Sequence, residues 1–273
     1  MTNPTLSIQP ITGAFGAEVD GDLSAVTDGS QIMELLEEHL VLVFRNQHLS
    51  HAAQSKIAHL MGEPTPAHPV VPGHPDYPEM LILEAAAGGK NARWHTDVTF
   101  VERPPLGSIL RAVEVPPSGG DTLFSDQEAA FDDLSDSLKA YLSTLTAVHT
   151  GAQQFKAALE HVGEGAWEGR PITSLAPVTH PVVRTHPETG RRSLFVNPGF
   201  TSHIVELSRA ESDALLGFLY AHSVRPEFTV RYHWHTGDVG FWDNRATQHS
   251  VIGDFGTQPR VIQRVTLKGD EPV

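Results

Sequence analysis

The sequence predicts a mainly β protein with helical decoration, closed as a barrel or sandwich, and three observations carry that expectation. Strand-like runs stand at both ends of the chain with helical periodicity between them. The 23 Gly and 20 Pro are spread along the 273 residues, without a linker or repeat, as in a loop-rich β protein. No Gly-rich phosphate loop is present, which disfavours a doubly wound α/β sheet. The length suits a single domain over residues 1–273 with a substantial core.

The elements follow in order. Gly13 and Gly16 in ITGAFGAEVDG mark turns between short strands. Asp28 or Ser30 caps a helix with the apolar stripe Ile32, Leu35, Leu36 and His39/Leu40, which runs into a buried strand from Leu40 to Phe44. Ser50 opens a second helix with Ile57, Leu60 and Met61 inward. Residues 63–78 (EPTPAHPVVPGHPDYP) are dense in Pro and His and predict a long ordered loop, an active-site lid. Strands are expected at Met80 to Glu84 and Ser108 to Val115. Ser125 with Glu128 reads as a capping box for helical periodicity through Leu138, Leu142 and Leu145, broken near Ser135. Val182 to Thr185 and Ser193 to Val196, joined by HPETGRR, read as a hairpin. A second capping box, Ser208 with Glu211, precedes a helix with Leu215, Phe218 and Leu219 inward. The chain returns to strands at Thr229 to His235, Asp238 to Trp242 and Arg260 to Lys268.

Nineteen Lys plus Arg against 33 Asp plus Glu give a net charge of −14, and no basic cluster appears. Nucleic acid and anionic membrane are therefore excluded as bulk partners, while a small anion focused on a few arginines remains open. With no cysteine there is no disulfide, thiolate metal site or cysteine nucleophile, so any metal rests on nitrogen and oxygen. The opening residues lack a basic n-region and an apolar h-region, and no apolar run approaches the roughly 18 residues of a membrane span. A soluble, cytoplasmic protein is expected. Sixteen histidines are the compositional anomaly.

In RWHTDVTF, His95 and Asp97 stand two apart, and on an extended strand both point to one face. An H-x-D pair also occurs in ordinary hydrogen-bonded strands, so a third ligand is needed. The best candidate is His249 in FWDNRATQH, placed after a strand. Two His and one carboxylate form the facial triad of non-haem Fe(II) oxygenases. In RVIQRVTL, strand periodicity puts Arg260 and Arg264 on one face, about 13 Å apart, able to address two anionic groups if that face is interior. The alternative is a surface strand with solvated arginines. Thr122 adds a hydroxyl after a Gly-Gly turn in SGGDTL.

WHTDVTF, SGGDTL, NPGF, WDNRATQH and the RxxxR strand, in this order, resemble the taurine dioxygenase (TauD/TfdA) family, nearest its taurine dioxygenase branch, over about Ile11 to Pro272. The resemblance implies a double-stranded β-helix (jelly-roll, cupin-like) core and an Fe(II)- and 2-oxoglutarate-dependent dioxygenase using O2. It implies His95, Asp97 and His249 as iron ligands, and Arg260 with Thr122 for the far carboxylate of 2-oxoglutarate. Arg264, His68 and Asn91 would hold a substrate sulfonate, and Val98, Phe100, Phe155 and Phe200 would wall the pocket. The implied substrate is taurine or a related alkylsulfonate, released as sulfite and an aldehyde, with alkyl sulfates and aryloxyalkanoates as alternatives. Val71 stands where the family has a pocket tyrosine, a departure that points to a larger, more apolar pocket. Family members are often homodimers or homotetramers. From other classes, an anion-binding barrel with a structural metal and a zinc hydrolase remain as rivals; a binder has no need of HTD, the distal histidine and both arginines together, and simple hydrolysis gives Thr122 and Arg260 no role.

Trp94, Phe241 and Trp242 are expected around the metal. His39, His59, His161 and His222 fall on helical patterns, and His233 and His235 share a polar strand face. His48, His51, His74, His149, His180, His186 and His203 read as loop or turn positions.

Overall fold

The computed structural model describes residues 4–85 and 92–273. β1 (Ser7–Pro10) and β2 (Ala17–Asp20) pair antiparallel across the Gly13–Gly16 turn. α1 (Ser30–His39) starts where the Asp28 carboxylate accepts from the Ser30 amide and hydroxyl, at 3.0 Å each. β3 (Val41–Phe44) follows, and Ser50 caps α2 (His51–Met61) by accepting the Ala53 N–H. Residues 63–79 carry only isolated bridges and lead to β4 (Met80–Ala85). Then come β5 (Gly107–Glu114), β6 (Thr122–Asp126), α3 (Gln127–Asp132), α4 (Asp136–Leu142) and β7 (Thr146–His149). The middle of the chain forms α5 (Ala152–Val162), β8 (Gly165–Trp167), β9 (Arg170–Ile172), β10 (Val178–Pro181), β11 (Val183–Thr185), β12 (Arg192–Leu194) and β13 (Thr201–Ile204). α6 (Arg209–Ser223), β14 (Thr229–Tyr232), β15 (Val239–Asp243), β16 (Thr247–Val251) and β17 (Arg260–Leu267) complete it.

Two sheets face each other: one of seven strands, ordered β1-β2-β3-β15-β5-β17-β4, and one of three, β14-β6-β16. Val41, Val43, Leu110, Phe124, Tyr232, Trp234, Trp242 and Ile262 pack between them. On the outer face of the large sheet, Leu42, Phe44, Ile109, Phe241, Val265 and Leu267 meet Ile32, Leu36, Ile57 and Met61 of α1 and α2. This is a jelly-roll core with helices outside. Because β3, β5, β15 and β17 bury both faces, a one-residue slip would exchange Ile262 with Val265's layer and turn Arg260 and Arg264 outward, so register is tightly specified. A third apolar layer joins α3, α4 and α6 to the β11–β12 hairpin.

Several local expectations are corrected. Asp126, not Ser125, caps α3, accepting from Glu128 and Ala129 at 2.9 Å each; Ser125 lies in β6 and donates to the Ser223 carbonyl. Ser135 does break the helical run and caps α4. The Ser208–Glu211 capping box forms, but α6 buries Leu216 and Leu219 while Phe218 is exposed, because the inward stripe lies one residue round from the one expected. Phe241 packs under α1 and α2, away from the metal ligands. His149 and His180 are buried in strands β7 and β10 rather than in loops, and His186 is buried at the end of β11. β14 ends at Tyr232, so His233 and His235 are not strand residues; His233 instead meets Asp121 at 2.6 Å.

Candidate metal centre and anion-binding face

His249 lies within β16, opposite Phe124 of β6, on the face that looks between the sheets. His95 makes one antiparallel bridge to it, with amide-to-carbonyl distances of 3.0 and 2.8 Å. The expected strand stops there: residues 97–100 form a turn with Val98 at φ 55°. Asp97 thus reaches the histidines through a turn, not through strand alternation. A left-handed β-branched residue costs about 1–2 kcal/mol. Burial of Val98 among Phe100, Val101, Trp167 and Phe200 offsets it, as do the His180 contacts from Nε2 to the Thr99 and Val101 carbonyls, 2.9 and 3.0 Å.

The ligating atoms of His95, Asp97 and His249 lie within 4.8 Å of one another. Both Nε2 atoms face Asp97 Oδ1, at 3.7 Å from His95 and 3.9 Å from His249. His95 Nδ1 donates to the Arg93 carbonyl at 2.8 Å, which leaves its Nε2 lone pair for a metal. The His249 ring is held between Trp242 and His95, with centroids at 4.9 and 4.3 Å, and its Nδ1 is buried without a partner. Burial first, and then His95, lower the His249 pKa to about 3, so it is a neutral ligand at neutral pH. Burial would raise Asp97, but Arg264, His249, His95 and the Ser108 hydrogen bond together hold its carboxylate below the usual range. Two imidazole nitrogens and one ionised carboxylate are the donor set that suits Fe(II).

Arg260 and Arg264 are both buried, so the solvated-strand alternative fails. Arg264 Nη1 donates to Asp97 Oδ1 at 2.5 Å. Arg260 Nε donates to the Gly120 carbonyl at 3.2 Å while its Nη2 is buried and unpartnered. Gly120 has φ 72°, and a Cβ there would stand 3.2 Å from the Arg260 side chain, which explains the Gly-Gly turn. Thr122 Oγ1 accepts the Trp234 indole N–H at 2.9 Å, leaving its own hydroxyl proton to donate.

His68, Val98, Phe100, Phe155 and Phe200 come together as one wall. The His68 ring lies 4.4 Å from Phe155 and 5.9 Å from Phe100, and Phe200 meets His95 edge-on at 5.9 Å. The Val70 amide donates to His68 Nδ1 at 3.2 Å, so the proton sits on Nε2. Burial first, then Arg264, lower the His68 pKa to about 3, making it a neutral donor. A cleft of about 440 Å3 lined by Arg93, His95, Gln153, Gln154 and Phe200 opens beside this wall. Asn91 lies outside the described residues.

Two contributors escaped the sequence reading. Ser108 Oγ donates to Asp97 Oδ2 at 2.7 Å; its only signal was a small polar residue on the inward phase of β5. Asn244 Oδ1 accepts from the Trp242 indole at 3.2 Å and the Asp97 amide at 3.4 Å. Its neighbours Asp243 and Arg245 form a buried fork: Arg245 Nη2 meets Asp243 Oδ2 at 2.7 Å and Nη1 meets Glu188 at 2.5 Å, while His186 Nε2 lies 3.1 Å from Asp243. Arg245→Ala leaves Asp243 buried without its main counter-charge. Denaturant unfolding is expected to show a loss of about 3–5 kcal/mol, whereas a loss under 1 kcal/mol would mean the fork is only packing.

The sequence matches the family described as Taurine catabolism dioxygenase TauD, TfdA family, over residues 7–266. It is 42% identical to an alpha-ketoglutarate-dependent sulfate ester dioxygenase of Pseudomonas putida, covering 98% of this chain and 91% of the relative. An alkylsulfatase of Acinetobacter baylyi is 39% identical over 98% of this chain and 87% of its own. Among solved structures, a taurine dioxygenase from Burkholderia xenovorans superposes with a TM-score of 0.82 at 38% identity, covering 99% of this chain and 91% of the other. Kinship along the whole length thus agrees with the donor set, and the chain belongs to the TauD/TfdA family of Fe(II)- and 2-oxoglutarate-dependent dioxygenases.

Proposed function

We propose that this dioxygenase hydroxylates the carbon that bears the sulfate oxygen of a small alkyl sulfate ester, with an alkylsulfonate such as taurine, hydroxylated at the carbon bearing sulfur, as the second reading. The observation that carries it is Arg264, a buried guanidinium one hydrogen bond from the iron-ligand carboxylate and beside an aromatic wall. His95, Asp97 and His249 hold Fe(II), and Arg260 with the Thr122 hydroxyl holds the far carboxylate of 2-oxoglutarate. Iron, 2-oxoglutarate and O2 together supply the oxidation: 2-oxoglutarate leaves as succinate and CO2, and one oxygen atom passes to the substrate carbon.

Arg264 and the neutral His68 Nε2–H anchor the sulfo oxygens, fixing which C–H faces the metal. Phe100, Phe155, Phe200 and Val98 take the carbon chain and exclude water. A hydroxylated carbon bearing O–SO3− collapses to aldehyde and sulfate; one bearing SO3− directly gives aldehyde and sulfite. The ester reading is favoured because Val71 replaces a polar aromatic, which makes the loop side of the pocket more apolar. Two relatives, a sulfate ester dioxygenase and an alkylsulfatase, point the same way. Residues 63–78, which carry His68, act as the lid, and residues 1–273 act as one catalytic domain.

Succinate formation across a panel of alkyl sulfates, alkylsulfonates and aryloxyalkanoates tests this. Alkyl sulfates are expected to give succinate and sulfate in equal amounts. Turnover of aryloxyalkanoates alone would defeat the sulfo reading, and sulfite release in preference to sulfate would select the second.

A further inference from the structure

Five arginines, Arg111, Arg184, Arg245, Arg260 and Arg264, are buried. Arg184 is paired with Asp270, Arg245 with Asp243 and Glu188, and Arg264 with Asp97. Among the described residues, Arg260 and Arg111 have no carboxylate within 4.0 Å, and residues 1–3 and 86–91 contain no Asp or Glu. A buried guanidinium without a counter-charge is costly. For Arg260 the missing charge is the proposed cosubstrate carboxylate. Arg111 is on β5 in the same phase as Ile109, so it faces the α1–α2 side of the sheet, where that ligand does not reach.

The hydrogen bonds around Arg111 determine where each proton sits. Arg111 Nη2 donates to Gln263 Oε1, and Arg111 Nε is buried and unpartnered. The Gln263 amide nitrogen therefore donates to His51 Nε2, at 2.7 Å, which leaves the His51 proton on Nδ1. His74 Nδ1 accepts the Asp76 amide at 3.1 Å, so the His74 proton is on Nε2. The two imidazoles lie 4.8 Å apart, both against Tyr77. The cluster thus brings together a guanidinium with Nη2 on Gln263 and Nε unpartnered, and two ring N–H groups, His51 Nδ1–H and His74 Nε2–H, beside the buried, unpartnered Gln54 Oε1. His51 is also the first residue of α2, whose positive end adds to the field. Burial first, then Arg111 and His74, lower the His51 pKa.

We infer that Arg111, His51 and His74 form a second anion site, on the outer face of the large sheet, that takes a small oxyanion of the sulfate or phosphate type. One arginine and two imidazoles match a single tetrahedral anion, not a polyanion. The inference stands whether or not Arg260 holds 2-oxoglutarate.

The test uses Arg260→Gln/Arg264→Gln protein, in which the proposed active-site anion contacts are removed. Its melting temperature is followed against sodium sulfate, and separately sodium phosphate, relative to sodium chloride of equal ionic strength. A saturable rise is expected, and adding Arg111→Gln is expected to weaken the apparent affinity at least about tenfold. No saturable rise, or the same rise with Arg111→Gln, overturns the site. If the double variant does not fold, calorimetric titration of the otherwise native chain replaces it: Arg111→Gln must remove one of its sulfate sites while succinate formation is retained. Light scattering closes the other route. A change of subunit number in Arg111→Gln without any sulfate binding would assign the missing charge to a second copy and overturn the proposal.

Discussion

Asp97→Ala is expected to abolish Fe(II) binding and to lower succinate formation at least about 10^3-fold, because the metal supplies several kcal/mol of barrier lowering and each 1.4 kcal/mol is tenfold. The variant removes the one anionic ligand of the triad and leaves two imidazoles. It also leaves Arg264 as a third buried arginine without a carboxylate, so the metal-free protein is expected to lose about 3 kcal/mol. The sign with pH follows from the lowered Asp97 pKa. The pair's contribution is complete above the ordinary carboxylate value of about 3.9 and is lost as pH falls through the lower folded value. Asp97→Ala should therefore lack that part of the acid limb of wild-type stability. Anaerobic Fe(II) plus 2-oxoglutarate should give a visible charge-transfer band in wild type and none in Asp97→Ala or His249→Ala. A variant that keeps the band and the turnover would remove the triad from the mechanism.

The second large effect separates the two arginines of β17. Arg260→Leu is expected to raise the KM for 2-oxoglutarate by about 10^2-fold or more, the cost of losing a buried charged hydrogen-bonding partner of roughly 2–5 kcal/mol. Arg264→Leu should do the same to the KM for the sulfo substrate while leaving the 2-oxoglutarate KM within about threefold. The physical basis is spacing: four residues of strand put the two positions about 13 Å apart on one inward face. If both substitutions raised the same KM, the assignment of one anion to each arginine would fall.

The strand alternation of RVIQRVTL was readable because both of its faces are constrained, cations on one and Val265 with Leu267 on the other. The same logic failed for His95 and Asp97. Two residues in H-x-D carry no second face to check against, and the actual geometry depends on Val98 adopting a left-handed backbone that valine rarely accepts. That conformation is imposed by His180 and by the aromatic cluster, contacts remote in sequence and invisible to local patterning. His249 was singled out and does lie with His95 and Asp97, but its strand was missed because TQHSV has no apolar alternation; it pairs through β6 inside the molecule. Ser108 shows the limit most plainly. A serine on an inward strand phase reads as a packing compromise until the carboxylate it serves is placed 2.7 Å away.

The aromatic wall has a consequence for durability. An enzyme that brings iron and oxygen together exposes its own lining to oxidants, and sulfur is the first element of a protein to suffer. This chain has no cysteine and four methionines, of which Met33, Met61 and Met80 pack on the helix-covered side of the large sheet. The wall of Val98, Phe100, Phe155 and Phe200 around the metal ligands is hydrocarbon. Misfired turnover should therefore mark these rings before it reaches any thioether, and the core under α1 and α2 should outlast the active site.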